Sequence, residues 1–137
     1  MSFRQKLKFG EKYQEIAKRY IPEDEKILEV AQGNQKEYDF KTDKFSYEVK
    51  SDRMGYAYGC QTFFIEYECN GKPSGISSTK SDYYFYFFHR PDDSYVAYEI
   101  PIENLKKACI GCREILKAGD GGRVKAYVVP VIPEFKL

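Results

Sequence analysis

A run of aromatic residues at positions 82–88, DYYFYFF, constrains the fold of this chain more than any other segment. Consecutive aromatic side chains make both faces of a strand apolar, and a strand of that kind has to be covered on both sides. The run therefore predicts a central, buried strand. The segment 94–100, SYVAYEI, follows a Pro-Asp-Asp turn and is predicted to be its antiparallel hairpin partner.

Hydrophobic periodicity predicts the other elements. Residues 9–20 have apolar side chains at helical spacing, which indicates an amphipathic first helix ended by Pro22. One or two short helical segments are expected at 101–119, where the period changes again. The remaining predicted strands, the first followed by a Gly33-Asn34 turn and the last limited by Pro130, lie at 26–32, 37–42, 45–51, 62–68 and within 121–133.

Length and composition predict one folded domain that spans residues 1–137. Hydrophobic residues make up 42% of the chain and aromatic residues 17%, which excludes a disordered protein. A chain of 137 residues can bury one core, built from a sheet with one or two covering helices. The expected fold class is α+β (α/β in the broad sense), with a mixed central β-sheet flanked by helices.

The charge balance restricts how this chain can contact nucleic acid. It has 22 basic and 21 acidic residues, so a protein that coats nucleic acid by bulk positive charge is not expected. Basic residues are nevertheless concentrated at 1–20 and 105–125. These segments either follow a phosphate backbone locally or form ordinary solvated helix faces.

Hydropathy and cysteine usage indicate a cytoplasmic protein. No segment approaches the roughly 20 apolar residues that span a bilayer, so no membrane contact is expected. The four cysteines, Cys60, Cys69, Cys109 and Cys112, are expected to be free thiols in a reducing compartment. A structural zinc ion is the alternative, because Cys109 and Cys112 have zinc-knuckle spacing, although the other two do not form a second knuckle.

Three charged side chains converge in the hairpin predicted from these strands. With a two-residue turn at 43–44, Asp39 lies directly opposite Glu48, and Lys50 lies two residues further along the same face. Two such carboxylates repel each other unless a cation lies between them. Mg²⁺ takes one or two carboxylates, keeps several waters and completes its shell with a phosphate substrate. A neighbouring Lys50 can then orient or deprotonate a water beside the scissile phosphate.

An ordinary solvated surface is the alternative interpretation of this hairpin. Alternating charge is usual on an exposed hairpin face, and the same register pairs Glu37 with Lys50. Asp39 can equally lie beside Lys41 in a simple surface ion pair. Residue types and spacing alone leave both interpretations open.

The spacing of these residues and the sequence that follows them match a known pattern. Asp39 is separated by eight residues from Glu48-Val49-Lys50, on adjacent strands that follow a helix and a first strand. This arrangement resembles the PD-(D/E)XK, or restriction-endonuclease-like, nuclease superfamily. The stretch FFIEYECNGKPSGISSTKSDYYFYFF is similar to its small phage-type and Holliday-junction-resolvase-like members. The resemblance covers about residues 9–100 and implies a core with the element order αβββαβ.

The resemblance implies a Mg²⁺-dependent endonuclease, with Mn²⁺ as a substitute ion, that hydrolyses DNA to leave a 5′-phosphate during DNA processing, recombination or repair. Asp39 and Glu48 would then be metal ligands together with the backbone carbonyl of Val49. Lys50 would be the catalytic lysine. If the protein is phage-encoded, its location would be the host cytoplasm.

The sequence departs from the family pattern at two places. Tyr38 replaces the proline that precedes the first acid, which leaves the carboxylate geometry intact but weakens the motif. Many members carry a Glu on the first helix, for which Glu11 and Glu15 are candidates. Both lie off the apolar stripe, so solvated surface residues are the simpler interpretation.

Glu66 and the loop at 71–80 complete the set of candidates. Glu66 points to the more polar face of its strand, where it is either an edge-strand charge or, as the resemblance implies, a catalytic acid. The loop is either a segment whose backbone approaches phosphates closely or a flexible connection. No Gly-Lys-Ser/Thr sequence opens a helix here, so no nucleotide cofactor is expected. The candidate substrate-binding residues of the loop are Lys72, Ser74, Thr79 and Lys80.

Two other functions remain open beside DNA hydrolysis. One is a non-catalytic nucleic-acid-binding or assembly subunit of the same fold, against which the intact Asp39, Glu48 and Lys50 argue. The other is a zinc-stapled interaction domain built around the cysteines. A homodimer is consistent with the nuclease hypothesis, because cleavage of both strands of a duplex requires two sites.

Overall fold

The computed structural model describes residues 3–30 and 38–137, and within them the chain forms two helices and nine strands. The predicted Gly33-Asn34 turn and Glu37 lie outside the described residues. The helices are α1 (Phe3–Lys18) and α2 (Ile102–Cys109). The strands are β1 (Ile27–Val30), β2 (Phe40–Thr42), β3 (Ser46–Asp52), β4 (Thr62–Cys69), β5 (Lys72–Pro73), β6 (Tyr83–His89), β7 (Tyr95–Pro101), β8 (Arg113–Ala118) and β9 (Val124–Pro130).

Five strands form a mixed sheet in the order β1-β2-β3-β6-β7. β3 and β6 are parallel, with Glu48 opposite Tyr84 and Lys50 opposite Tyr86, whereas the other neighbours are antiparallel. β6 contains the aromatic run, and its residues 84–88 are at most 2% exposed because both of its faces are covered. The predicted central strand and its hairpin partner β7 are therefore confirmed.

The apolar stripe of α1 covers one face of this sheet. Tyr13 and Ala17, about one turn apart, are fully buried. Their partners on the sheet are Phe40, Tyr47, Phe85 and Phe87. Complete burial of each large apolar side chain contributes about 1.5–3 kcal/mol to folding, so this contact fixes the position of the helix. The predicted amphipathic helix is confirmed, although it already begins at Phe3.

A second, antiparallel sheet in the order β5-β4-β9-β8 covers the opposite face. Phe63 and Ile65 of β4 and Val129 of β9 are buried against the even-numbered aromatic side chains of β6. The short helix α2 adds Leu105 to the same cluster. The first sheet therefore lies between a helix on one side and a second sheet with α2 on the other.

One prediction about helices is confirmed and another is wrong. Residues 101–119 contain one helix, α2, in agreement with the predicted one or two segments, and the residues after it pair with β9 as the strand β8. The helical piece that the order αβββαβ places before the core strand is not formed. Residues 53–82 instead contain β4, β5 and short 3-10 segments at Gly55–Tyr58 and Gly75–Ser77. The broader fold class, α+β, is confirmed.

Within residues 3–30 and 38–137, no helix is both long enough and apolar enough to cross a membrane.

Candidate functional site

The β2–β3 hairpin has the predicted turn and register. Phe40 pairs with Tyr47 and Lys41 with Ser46, and the Thr42 amide donates to the Phe45 carbonyl across the turn at 2.8 Å. The ladder ends at Phe40, however. Asp39 lies just before β2, and its amide donates to the Tyr47 carbonyl at 2.8 Å. Asp39 is therefore beside Glu48 at the end of the hairpin and is not its direct ladder partner, which corrects the predicted pairing.

The carboxylate of Asp39 is held by two different parts of the chain. The residue is only 2% exposed. Its Oδ2 accepts a hydrogen bond from the Val49 amide at 2.6 Å, and its Oδ1 accepts one from Gln14 Nε2 of α1 at 3.3 Å. A buried carboxylate is tolerated only with such partners, because desolvation strongly disfavours the charged form. Asp39 is therefore fixed in position, which excludes the interpretation as a solvated surface acid.

Gln14 is a site residue that sequence reasoning missed. The two helix acids considered as candidates, Glu11 and Glu15, are exposed, and Glu15 pairs with Lys18 at 2.7 Å on the helix surface. Gln14 is partly buried at the border of the apolar stripe and faces Asp39. An uncharged amide beside the buried stripe is the sequence signal for this residue.

β3 presents a row of alternating charged side chains toward the second sheet. Strand geometry places Glu48, Lys50 and Asp52 on one face, with about 7 Å between successive members. Their neighbours across the parallel ladder are Tyr84, Tyr86 and Phe88 of β6, which face the second sheet. The structure therefore brings Glu48 and Lys50 to the same half-buried surface, as predicted.

Asp52 extends this row and was not singled out from the sequence. Its Oδ2 accepts a hydrogen bond from the Tyr86 hydroxyl, and that hydroxyl accepts one from the Phe64 amide of β4 at 2.9 Å. Its Oδ1 accepts the amides of Met54 and Gly55 at 2.9 and 2.8 Å. Asp52 thus links the charged row to the second sheet and to the segment that follows β3. Extending the alternation of β3 by two residues would have found it.

The loop after β5 brings a hydroxyl to Glu48. Thr79 Oγ1 lies 3.4 Å from Glu48 Oε2, and the Thr79 amide donates to the Gly75 carbonyl at 2.9 Å. The Ser81 amide donates to Thr79 Oγ1 at 3.2 Å, which orients the side chain. Of the four predicted substrate-binding residues, Thr79 is therefore placed at the proposed acid.

The other predicted substrate-binding residues occupy different positions. Lys72 is exposed in β5 and pairs with Cys69. Ser74 precedes the Gly75–Ser77 segment, and its hydroxyl is buried without a hydrogen-bond partner in the described part of the chain. Lys80 is exposed, and its carbonyl accepts a long hydrogen bond of 3.5 Å from the Ser46 hydroxyl.

Electrostatics connect three of the predicted acids. The Tyr84 phenol is completely buried, and its pKa is raised well above the ordinary value by desolvation and by the charges of Glu48, Glu66 and Asp39, in that order. All three carboxylates therefore act on one side chain beneath the hairpin. Glu66 lies in β4 opposite Ala126 and is half-buried.

The side chains of this site offer a hard divalent cation two carboxylates and no third protein side-chain ligand among the described residues. Within residues 3–30 and 38–137, no three His, Cys, Asp or Glu side chains are close enough together to hold an ion. Mg²⁺ needs only one or two carboxylates, since water and substrate phosphate complete its shell. Asp39 and Glu48 supply that number of carboxylates, and the Val49 carbonyl leaves β3 on the edge where its amide meets Asp39.

The cysteines do not form a metal site among the described residues. Cys60, Cys69, Cys109 and Cys112 are free thiols. Burial, with a smaller contribution from Cys112, raises the pKa of the Cys109 thiol to about 11, so it is protonated at neutral pH. The Cys112 thiol donates to the Ala108 carbonyl at 2.9 Å. A zinc-stapled domain therefore has no support in the described geometry.

Comparison with known proteins adds no relative. A scan of the sequence against protein-family models finds no matching family, and a search of the curated proteins finds no significantly similar sequence.

Proposed function

We propose that this chain is a metal-dependent deoxyribonuclease that hydrolyses DNA phosphodiester bonds at the end of the β2–β3 hairpin. The observation that carries the proposal is the buried Asp39 carboxylate, held at the amide of Val49 between Glu48 and Lys50. A solvated acid on a hairpin face would be exposed and would not be held by a backbone amide. A preorganised acid beside a second carboxylate and a lysine is a minimal set of groups for phosphodiester hydrolysis.

Each residue has a definite role in this proposal. Asp39 and Glu48 would hold Mg²⁺ or Mn²⁺, together with the Val49 carbonyl. A bound divalent ion would supply Lewis-acid stabilisation of the charge that develops on the phosphate. Lys50 would orient the attacking water and donate hydrogen bonds to the phosphate oxygens, because its side chain leaves β3 on the same face as Glu48.

Two further residues would shape the site around this centre. Thr79 would hold the Glu48 carboxylate through its hydroxyl group, at the observed separation of 3.4 Å. Glu66 would add negative charge from the neighbouring strand β4 and position the water, as the electrostatic effect on Tyr84 suggests. Attack of water on phosphorus would form the new P–O bond and break the P–O3′ bond, leaving a 5′-phosphate. The Glu66 carboxylate would accept the proton of the attacking water, and the departing O3′ would take a proton from solvent.

DNA is the proposed partner and the cytoplasm the proposed location. The site is local, in a chain whose net charge is +1, so we expect recognition of individual phosphates rather than coating of the duplex. Four free thiols agree with a reducing compartment. A homodimer that cleaves both strands remains part of the proposal and has no interface residue assigned to it.

Cleavage assays with matched variants test this proposal. We expect the wild-type protein to cleave plasmid, single-stranded or branched DNA in Mg²⁺ or Mn²⁺ and to be inactive in EDTA. Glu48→Ala and Lys50→Ala should each lower the rate at least about a hundredfold, the usual cost of losing one charge-stabilising group. Lys41→Ala is the matched control, because this lysine lies on the adjacent strand in a surface ion pair with Glu29 at 3.4 Å.

Two outcomes would contradict the proposal. Unchanged cleavage by both Glu48→Ala and Lys50→Ala would remove the assigned site. DNA binding by the wild-type protein without cleavage under any of these ions would instead assign the chain to a non-catalytic binding subunit.

A further inference from the structure

A short aromatic segment leaves β3 directly after the charged row. We call Met54–Tyr58 the aromatic loop. Its large side chains point to solvent: Met54 is 71% exposed, Tyr56 46% and Tyr58 72%. Only four aromatic side chains are exposed among the described residues, and two of them stand on this loop, which indicates a contact surface.

The backbone of the aromatic loop is anchored firmly. Asp52 accepts hydrogen bonds from the amides of Met54 and Gly55, and Gly55 is buried. A Cβ atom at Gly55 would lie 2.6 Å from the Phe88 ring, so only glycine fits this close approach. The exposed rings therefore stand on a fixed base. Rigid aromatic side chains lose little conformational freedom on binding, which favours their use in recognition.

A cavity of about 390 Å³ lies beside the loop. Tyr56 forms one wall, and the exposed Arg90 supplies a positive charge on another. Asp92 also lines the cavity, but its carboxylate accepts hydrogen bonds from the amide and hydroxyl of Ser94, which lower its pKa. Arg90 therefore provides the group in this cavity that can meet a ligand phosphate.

The aromatic loop is close to the proposed catalytic row. Asp52 lies two residues, or about 7 Å, beyond Lys50 on the same face of β3, and it holds the first amides of the loop. A polymer whose phosphate lies at Lys50 can therefore continue toward the loop and the cavity.

We propose that the aromatic loop binds unpaired DNA bases, with Tyr56 and Tyr58 as stacking surfaces and Arg90 beside the flanking phosphate. This inference rests on the proposed nuclease function and specifies its substrate as DNA with a single-stranded segment. Aromatic rings stack on every base type, whereas bases in a duplex are covered by their neighbours. A protein partner would also use Tyr and Arg, but the continuity of the loop with Lys50 favours the strand that enters the site.

Binding measurements on the full-length chain test this inference. Wild-type protein in EDTA, where no hydrolysis is expected, is titrated into a fluorescein-labelled single-stranded oligonucleotide and into the same sequence as a blunt duplex. We expect tighter binding of the single strand. Tyr58→Ala and Tyr56→Ala should each weaken that binding about five- to hundredfold, the range for loss of one base–aromatic stack. Tyr58→Phe should retain it, because the ring remains.

Matched controls separate stacking from general damage to the protein. Tyr20→Ala removes an exposed tyrosine that bonds to the Tyr95 hydroxyl at 2.8 Å and belongs neither to the loop nor to the lining of the cavity, so it should leave DNA binding unchanged. Duplex binding should change less than twofold in all loop variants. Thermal unfolding of each variant checks that the fold is retained.

Several results would overturn the inference. These are unchanged single-strand binding in both Tyr→Ala variants, equal losses for duplex and single strand, or a change of oligomeric state in the loop variants, which would assign the loop to self-association. If the wild-type protein cleaves DNA in Mg²⁺ but the loop variants bind and cleave normally, only the loop assignment fails. If the wild-type protein neither binds nor cleaves any DNA, the proposed function itself fails.

Discussion

The carboxylate of Asp39 accepts hydrogen bonds from two different elements, and these bonds fix its position. The Val49 amide comes from the strand of the hairpin, whereas the Gln14 amide group comes from the helix on the opposite side. Loss of either partner leaves the buried carboxylate less well stabilised. The position of Asp39 relative to Glu48 therefore depends on a residue that is far away in sequence.

Gln14→Ala should lower DNA cleavage while the protein stays folded. A hydrogen bond to a charged group is worth about 1.5–3 kcal/mol, so full loss of its effect on the site corresponds to a decrease of about ten- to hundredfold in kcat/KM. Steady-state cleavage in Mg²⁺ measures it. Glu11→Ala, an exposed position on the same helix, is the control and should be neutral. The reverse result, with Glu11 essential and Gln14 dispensable, would show that the helix contributes a different residue.

The partly buried carboxyl group of Glu99 provides a test of how stability depends on pH. Partial burial, and then the charge of Glu25, raise the pKa of the Glu99 carboxyl above its ordinary value of 4.5. The folded protein therefore holds this proton more tightly than the unfolded chain. Stability from this group is complete below the ordinary pKa and is lost as the pH rises through the higher folded value.

Glu99→Gln should consequently raise Tm at pH 7 and have no such effect at pH 4. Solvent screening at this half-exposed position keeps the gain small, about 1–4 °C. Differential scanning calorimetry at the two pH values measures it. Glu23→Gln, at an exposed turn position after α1, should change Tm at neither pH. A lower Tm for Glu99→Gln at pH 7 would show that the charged carboxylate is stabilising.

At the scale of elements, the loop between β5 and β6 is positioned by one close approach. Gly75 has a φ of +52°, and a Cβ atom there would lie 2.2 Å from the Glu66 carbonyl oxygen. Only glycine fits this conformation and this space. The contact holds the Gly75–Ser77 segment on β4 and, through the Gly75 carbonyl, holds Thr79 near Glu48.

Gly75→Ala should destabilise the protein and reduce cleavage. Gly71→Ala is a matched control, because Gly71 also has a positive φ, +76°, but no atom lies within 4 Å of its added Cβ. The left-handed backbone conformation alone costs a residue with a Cβ about 1–2 kcal/mol. Gly71→Ala should therefore lower the free energy of unfolding by that amount, and Gly75→Ala should lower it clearly more. Urea unfolding measures both. Equal losses would mean that β4 shifts to accommodate the new methyl group and that the close approach has little importance.

Sequence periodicity predicted most elements but misassigned β8. The segment after Gly111 contains Arg, Glu, Leu, Lys and Ala, which have good helix propensity, and it was expected to be helical. In the structure its residues Arg113–Ile115 pair with β9 and extend the second sheet. Propensity is a weak signal of less than 1 kcal/mol per residue, and pairing with an adjacent strand overrides it.

At the scale of the whole molecule, both sheets share one apolar cluster. Phe63 and Val129 from the second sheet pack with Tyr86 and Phe88 from the first, so neither sheet has a separate core on this side. Such a chain should unfold in one cooperative transition.

Urea unfolding followed by far-UV circular dichroism and by tyrosine fluorescence should therefore give coincident curves. The chain contains 13 Tyr and no Trp, so tyrosine reports on the core directly. Phe88→Ala should lower the unfolding free energy by about 3–5 kcal/mol without separating the two curves. Ile110→Ala, at a side chain that is 80% exposed, should change it by less than about 0.5 kcal/mol. Two resolved transitions would show that the sheets fold independently.

The sequence by itself determined the central strand, the first helix and the register of the charged hairpin. These features depend on local patterns: an aromatic run, a 3.6-residue period, and a two-residue turn that sets which side chains share a face. Glu48 and Lys50 could be placed together for that reason.

Only the tertiary structure decided which of these charges are buried and what holds them. Gln14, Asp39 and Val49 meet because α1 packs across the hairpin, and Asp52 reaches β4 because the second sheet lies on the Tyr86 side. Contacts of this kind depend on how elements pack, and packing follows from the summed burial of many side chains rather than from any short motif. The same packing buries Asp39 beside Glu48 and leaves the aromatic loop in solvent.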